Sequence, residues 1–168
     1  MRAWAKFADG VAVSEGIFST LARFAPTGSL DVFASDQHSS YKKLGDAFLK
    51  HVGQNRPAGD DDVVRICRGF ASALGGNATA ALFNSLAFLS PGFRELLGPK
   101  VMLIGRLEDT KTDEIDGGRG QVARLYVQPE EVADKVDGFK TLVKLDPDHK
   151  KSWKMNREWL ADVFERCC

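Results

Sequence analysis

Long hydrophobic runs and an excess of charge of one sign are both missing from this sequence of 168 residues. No apolar stretch approaches the roughly 18 to 20 residues that a membrane-spanning helix needs. Lys plus Arg (23) balances Asp plus Glu (23), which removes the electrostatic basis for expecting a nucleic acid or an anionic membrane as a partner. No continuous apolar core follows Arg2 and Lys6, so no secretory signal is predicted and a cytoplasmic location is expected.

Cysteine and histidine are also scarce. Cys167 and Cys168 are adjacent, which does not readily allow an ordinary bridge between them, and Cys67 stands alone with no CxxC spacing nearby. The three histidines are scattered along the chain, at His38, His51 and His149. We therefore predict reduced thiols, no disulfide framework and no metal site.

Strand-like and helix-like segments alternate along the chain, within an ordinary globular composition of 43% hydrophobic and 27% charged residues. Short apolar runs predict four strands, at 30–35, 78–83, 100–105 and 139–145. Periodicity and breaker residues predict helices at 13–24, 41–52, 60–74, 93–97, 129–136 and 152–167. The length suits a single domain.

Two of these helices carry a stripe of side chains at helical spacing that should face the core. In the helix 41–52 the stripe consists of Leu44, Ala47, Phe48 and His51. In the last helix it consists of Trp153, Asn156, Trp159, Leu160, Val163, Phe164 and Cys167. Asn156 is the single polar side chain in this second stripe.

Strands that are separated by helices predict parallel pairing, because a parallel crossover needs a dozen or more residues. The strands are almost entirely apolar, which is typical of a sheet covered on both faces. Two α/β architectures fit this pattern: an open doubly wound sheet, and half of an eightfold (β/α)8 barrel. No glycine-rich turn follows the first strand, which disfavours the nucleotide-binding form of the doubly wound fold.

Polar residues follow the predicted strands, where α/β folds place their functional sites. Asp36 and Gln37 follow the first strand, Asn84 follows the second, and Arg106 and Glu108 follow the third. Arg106 is suited either to binding a phosphate or carboxylate group or to pairing with Glu108. Asp36 either faces the site or caps the helix that follows it.

Two further features have two interpretations each. Lys140 and Lys144 are four positions apart in the fourth predicted strand, so they point to the same side. An amine in a barrel mouth suits Schiff-base chemistry, but these lysines could also reach solvent or pair with Asp36. A long polar loop is predicted from Arg106 to Gly120, and its run Gly117-Gly118-Arg119-Gly120 is either an anion cradle or an ordinary surface loop.

Two segments together resemble a known enzyme family. The segment FASDQHSSYKKL, from Phe33 to Leu44, resembles the first barrel strand and loop of class I tagatose-bisphosphate aldolases and their sulfosugar-phosphate relatives. The segment FKTLVKLDPD, from Phe139 to Asp148, resembles the fourth strand of the same enzymes. It is equally similar to the aldolase-like domain of 5-dehydro-2-deoxyphosphogluconate aldolases. The third strand and its loop fall in the family's order, so the resemblance spans about residues 28–168.

This resemblance implies the fold of a (β/α)8 TIM barrel, of which the chain holds the first four βα units as one N-terminal half. It implies a class I aldolase, a carbon–carbon lyase without metal or cofactor, that cleaves a ketose phosphate such as tagatose 1,6-bisphosphate through a lysine imine. By position, Lys140 and Asp36 match catalytic residues and Gln37 matches a substrate-binding residue. The residue pattern adds Arg106 as a second substrate-binding candidate.

The sequence departs from the family at His38, where the relatives carry arginine, and at Asn84-Ser85, where they carry Asp-Pro. The imine-forming lysine of the sixth strand has no counterpart among these residues. We therefore expect the chain to be inactive alone, and to form a homo-oligomer or to associate with a missing C-terminal half. The alternatives are a non-catalytic half-barrel that serves assembly or binding, and an open-sheet domain that binds phosphate near 117–120.

Overall fold

The computed structural model describes residues 15–24, 29–74, 77–109, 111–143 and 146–167. Its helices are α1 Glu15–Phe24, α2 His38–His51, α3 Asp60–Leu74, α4 Ser85–Phe88, α5 Pro129–Val132 and α6 Lys150–Cys167, with a 3-10 helix at Arg94–Leu96. Its strands are β1 Val32–Ser35, β2 Ala80–Phe83, β3 Met102–Arg106, β4 Asp113–Ile115, β5 Gly120–Val122 and β6 Gly138–Lys140. None of the described helices has the combination of length and apolar character that a membrane span requires.

Strands β1, β2, β3 and β6 form one parallel sheet in that order. In this register Phe33 lies beside Ala81 and Ala81 lies beside Leu103, while Gly105 lies beside Phe139. The predicted α/β class with a parallel sheet is confirmed, and each of the four predicted strands overlaps one of these strands. The strands follow one another across the sheet without any reversal of direction.

One side of this sheet, here called the helix-covered face, forms the main core. Side chains alternate along a strand, and parallel partners in register point to the same side. The members of this face that the sheet supplies are Phe33, Ala81, Phe83 and Leu103. They pack with a column of fully buried residues on α3, namely Val63, Cys67 and Ala71. The four-residue spacing of that column is what turns one side of α3 toward the sheet.

The opposite side, here called the open face, is far less buried. Val32 is 47% exposed, Ala34 is exposed, and Leu82, Met102 and Ile104 are only half-buried, whereas Ala80 on the same face is fully buried. Leu142, which follows β6, is 59% exposed. The prediction that both faces are covered is therefore wrong for these described residues.

The predicted loop between Arg106 and Gly120 is wrong in part, because it contains β4 and the start of β5, which pair antiparallel as a hairpin. The turn that joins them places Asp116, Gly117 and Gly118 at φ of 52°, 69° and 85°. Glycine adopts this left-handed conformation without steric cost, which explains the paired glycines. Residues 117–119 of the run thus belong to the turn of the hairpin and Gly120 begins β5, while Arg119 donates from Nε to the Asp116 carbonyl oxygen at 3.2 Å.

Asn156 explains the polar break in the predicted stripe of α6. Its Oδ1 accepts a hydrogen bond from the backbone N–H of Ala123 at 2.8 Å, and its Nδ2 donates to the backbone carbonyl of Gln121 at 2.8 Å. The Asn156 residue is 1% exposed, so these bonds replace its contact with water. The stripe is only partly correct, because Val163 is buried whereas Phe164 is 60% exposed. Trp153, another predicted member, is 37% exposed.

The predicted apolar stripe of α2 is wrong. Leu44 and Phe48 are exposed, and the helix instead buries Gly45 and Leu49. A Cβ on Gly45 would stand 2.7 Å from the Cβ of Ala58, so the absence of a side chain lets α2 approach the segment before α3 closely. This close contact sets which side of α2 is buried, and a hydrophobicity count does not detect it.

Other predicted elements differ in length or type. The region 93–97 holds only the 3-10 helix, and α4 has no counterpart among the predicted helices. Helix α5 ends at Val132 and strand β6 ends at Lys140, both short of the predicted bounds. Residues 13 and 14 of the first predicted helix, the pair 75–76 and Lys144 lie outside the described residues.

Replacing Asn156 with alanine should destabilise the protein by about 1–3 kcal/mol, because the buried Ala123 N–H loses its acceptor and the part-buried bond to the Gln121 carbonyl is also lost. Urea unfolding measures the loss. The control is Glu158→Ala on an exposed position of the same helix, for which a change within about 0.5 kcal/mol is expected. Equal losses for the two variants would show that Asn156 does not hold α6 against β5.

Candidate functional site

Four charged side chains meet at the carboxyl edge of the parallel sheet, on the side of the open face. We call Asp36, Arg106, Glu108 and Lys140 the charge cluster. Arg106 and Lys140 end β3 and β6 and lie beside each other in register, and Asp36 directly follows β1. Three of the four predicted site residues, Asp36, Arg106 and Lys140, are therefore brought together at the edge where the parallel strands of one sheet end.

Lys140 lies at the centre of this charge cluster. Its Nζ donates to Asp36 Oδ2 at 3.0 Å and to Glu108 Oε1 at 2.7 Å. The predicted alternative in which Lys140 pairs with Asp36 is thus observed, with Glu108 as a second partner. Asp36 consequently does not serve as the cap of α2, since the N-cap position belongs to Gln37.

Arg106 joins the cluster from β3. Its Nη1 donates to the backbone carbonyl of Asp36 at 2.9 Å, and its Nε lies 2.9 Å from Glu108 Oε1 as an ion pair. The alternative in which Arg106 pairs with Glu108 is therefore observed as well. Two cations and two carboxylates balance each other, which is what allows four charges to share a poorly hydrated place.

Burial differs sharply within the charge cluster. The side chain of Glu108 is 4% exposed and that of Arg106 is 13% exposed, whereas that of Lys140 is 29% exposed. Glu108 Oε2 has no hydrogen-bond partner among the residues that the structure describes. A buried carboxylate oxygen without a donor is costly, so the arrangement is incomplete as a purely structural ion-pair network. Lys140 is the member most accessible to a ligand.

Two clefts open beside the charge cluster, one of about 480 Å³ and one of about 250 Å³. The larger is lined by Arg106, Glu108, Asp109, Lys111, Thr112, Glu114, Gln121, Ala123, Leu142 and Asn156. The smaller is lined by His38, Lys42, Asp60, Asn84, Ser85, Leu86, Arg106, Glu108, Asp109, Lys111, Arg124 and Tyr126. The larger volume lies within the range of about 300–1,000 Å³ that small-molecule sites occupy.

Gln37, the fourth predicted site residue, lies outside the charge cluster. It is exposed at the start of α2, where its Oε1 accepts a hydrogen bond from Ser40 Oγ at 2.8 Å. Glu108, in contrast, is central, although sequence reasoning placed it only among the polar residues after the third strand and did not choose it as a site residue. The sequence signal for Glu108 is the alternate spacing of Ile104, Arg106 and Glu108. This spacing places all three side chains on the same side of β3 and of the extended segment that follows it.

Asn84 has a structural role in the fold. Its Oδ1 accepts from the backbone N–H of Ala87 at 3.1 Å, which caps α4, and its Nδ2 donates to Cys67 Sγ at 3.5 Å.

Burial raises the pKa of the Cys67 thiol, so this cysteine is held as a neutral core side chain. Cys67 and Cys167 are both free thiols, and Cys168 lies outside the described residues. In the described part of the chain no group of three His, Cys, Asp or Glu residues could hold a metal ion.

The smaller cleft has its own ion-pair group. Asp60, at the start of α3, accepts from Lys42 Nζ at 2.9 Å and lies 3.1 Å from His38 Nε2. The hydrogen bond from Lys42, the larger effect, and the one with His38 hold the pKa of Asp60 below its usual range, against the opposing effect of burial. His38, which stands where the resembled family has arginine, therefore faces this cleft.

No family model matches this chain, and no curated protein matches it. The assignment of a function to the charge cluster therefore depends on its geometry and on the residue pattern alone.

Replacing Lys42 with methionine should raise the pKa of Asp60 toward its usual value, because it removes the hydrogen bond with the largest effect. Because the folded pKa of Asp60 is lowered, its pairing stabilises the protein above the unfolded value of about 3.9 and is lost as the pH falls below it. An NMR titration of the Asp60 carboxyl carbon checks this. The control is Lys43→Met, at the exposed neighbouring position, which should leave the titration unchanged; an equal pKa of Asp60 in both variants would contradict the assignment.

Proposed function

We propose that this chain is the N-terminal half of a class I aldolase-type (β/α)8 barrel that acts on a ketose phosphate such as tagatose 1,6-bisphosphate. The observation that carries the proposal is the charge cluster. Lys140 and Asp36, which the family resemblance makes catalytic, are 104 positions apart in the chain and yet 3.0 Å apart at the carboxyl edge of the sheet. This is the edge at which barrel enzymes of this kind hold their active sites.

The topology supports a barrel more than a doubly wound sheet. A doubly wound sheet reverses its strand order at a switch point, whereas β1, β2, β3 and β6 follow one another in sequence. The helix-covered face corresponds to the outside of a barrel. The open face corresponds to its interior, where the side chains of Ala34, Leu82 and Ile104 would meet those of the opposite strands.

The proposed roles follow from the contacts. Asp36, Lys140 and Glu108 form a continuous hydrogen-bonded path with links of 3.0 and 2.7 Å, along which a proton can pass to or from a substrate oxygen. In the resembled family a second lysine forms the imine that accepts the electron pair of the breaking carbon–carbon bond. Under this proposal that lysine belongs to the second half of the barrel, and Arg106 helps to hold the substrate.

The polypeptide that contains this chain, purified from its source, should form a lysine adduct when it is incubated with tagatose 1,6-bisphosphate and borohydride. In that polypeptide Lys140→Met should lower kcat by about 10²–10⁴-fold, because it removes the centre of the proton path. The adduct should still form, since the imine lies on another lysine. Intact mass spectrometry and a coupled cleavage assay provide the two readouts.

Two further variants complete this test, one as a control and one as a second probe of the proton path. Lys154→Met removes a lysine that is 76% exposed and should leave the cleavage rate unchanged. Asp36→Asn preserves the side-chain shape and should also slow cleavage, which covers the case in which Lys140→Met does not fold. The proposal fails if borohydride traps no adduct with tagatose 1,6-bisphosphate, with sulfosugar phosphates or with 5-dehydro-2-deoxygluconate 6-phosphate.

A second candidate function, a non-catalytic half-barrel that assembles with a second copy of itself, is favoured by the open face. Apolar side chains on this face are exposed, and in the sheet of described residues β1 and β6 each have only one neighbour. Two copies related by a twofold axis along the strands would pair β1 of each copy with β6 of the other. That arrangement would make eight strands and cover both open faces.

Under this second function the chain should form a dimer, and Leu142→Glu should weaken it by placing a charge in the covered interior. Light scattering on a size-exclusion column should give about twice 18.4 kDa for the unchanged chain. Phe164→Glu, at a residue that is 60% exposed on α6, is the matched control and should not alter the mass. A cooperatively folded monomer at high concentration would exclude this function.

A further inference from the structure

The two clefts border the same segment after β3, and together they are here called the groove. Four lining residues belong to both of them: Arg106, Glu108, Asp109 and Lys111. A ligand bound in either cleft therefore contacts the same group of charges. Lys140 and Asp36 line neither cleft, and Lys140 is linked to the clefts through its hydrogen bond to Glu108.

Lys111 differs from the other cations of this groove. Arg124 is held by Asp109 and Lys42 is held by Asp60, each at less than 3 Å. Arg106 is paired with Glu108. The exposed Lys111 side chain makes no ion pair with any residue in the described part of the chain, and only its backbone N–H bonds to Asp109. Lys111 is thus the cation of the groove whose charge is left for a ligand.

The two ends of the groove differ in charge. The smaller cleft carries four cationic side chains, Lys42, Arg106, Lys111 and Arg124, against three carboxylates, Asp60, Glu108 and Asp109. In the larger cleft the carboxylates outnumber the cations, because Glu114 is added there and Lys42 and Arg124 are missing. An anionic group is therefore best placed in the smaller cleft, and a neutral chain rich in hydroxyl groups is best placed in the larger one.

Glu108 supplies the second contact. Its Oε1 is held by Lys140, while its Oε2 has no hydrogen-bond donor among the described residues. An ionised carboxylate only accepts hydrogen bonds, so the group that satisfies Oε2 must be a donor such as a hydroxyl. The side chain is 4% exposed, so binding of a donor to Oε2 requires the adjoining wall of the groove to move outward.

We infer that this groove binds a hydroxylated phosphate, with Lys111 on the phosphate and Glu108 on a hydroxyl of the carbon chain. The inference rests on the proposed function, since it assigns the parts of a sugar-phosphate substrate to particular residues. It adds Glu108 and Lys111, as binding residues, to the catalytic candidates Asp36 and Lys140 and the binding candidates Gln37 and Arg106.

Sorbitol 6-phosphate tests this inference apart from the aldolase chemistry, because it has no carbonyl group and cannot form an imine. Isothermal titration of the chain should show binding of sorbitol 6-phosphate, and binding of butyl phosphate at least about tenfold weaker, since butyl phosphate offers no hydroxyl to Glu108. Binding of neither compound, or equal binding of both, would overturn the inference.

Two variants locate the contacts. Glu108→Gln should weaken sorbitol 6-phosphate by about tenfold or more and leave butyl phosphate unchanged, because only the polyol uses the carboxylate. Lys111→Met should weaken both compounds to the same degree and should reduce the dependence of binding on salt. Their controls are Glu95→Gln and Lys43→Met, at exposed positions outside the groove, which should alter neither titration.

A folded Glu108→Gln protein that binds sorbitol 6-phosphate as tightly as the unchanged chain would overturn the assignment of Glu108. If Glu108→Gln does not fold, Glu108→Asp retracts the carboxylate by one methylene group and should lose the preference for the polyol. The two proposals fail separately. Polyol binding without a borohydride adduct keeps the groove and removes the aldolase, whereas an adduct without polyol binding keeps the aldolase and removes the groove assignment.

Discussion

The contact of Lys140 with Asp36 constrains the whole sheet, because it joins the two outermost strands. In a flat sheet β1 and β6 would lie roughly 14 Å apart, three times the usual spacing between strands. The side chains of Lys140 and Asp36 nevertheless meet at 3.0 Å. The side chains of Lys140 and Asp36 therefore extend across the ends of the two central strands, and their contact links the two edges of the sheet.

Glu108 lowers the electrostatic cost of holding Lys140 beside Arg106. Without Glu108, Lys140 and Arg106 would be two neighbouring cations with the single carboxylate of Asp36 between them. With it, the cluster is neutral and Lys140 has two acceptors. A buried network of this kind contributes little net stability, so its presence is better explained by the position that it gives to Lys140. That position is at the carboxyl edge of the sheet, beside a groove.

The sequence allowed the sheet to be predicted because its signals are local. Apolar runs and intervening helical segments show where strands lie, and parallel pairing follows from the length of each connection. The approach of Asp36, Arg106 and Lys140 was predictable for the same reason, since all three end or follow strands of one sheet. The alternate spacing places Glu108 on the side of Arg106, but its burial and its bond to Lys140 depend on residues distant in the chain. The buried side of α2 was missed because Gly45 is selected by its contact with Ala58, not by its hydrophobicity.

The bond between Asn156 and β5 has a consequence for the groove. Asn156, Gln121 and Ala123 all line the larger cleft, so the docking of the C-terminal helix shapes one wall of that cleft. Any ligand that touches this wall binds only those molecules in which α6 is docked, and by thermodynamic linkage it must favour docking to the same extent. The last helix of the chain is thus an energetic part of the groove, although none of its residues belongs to the charge cluster.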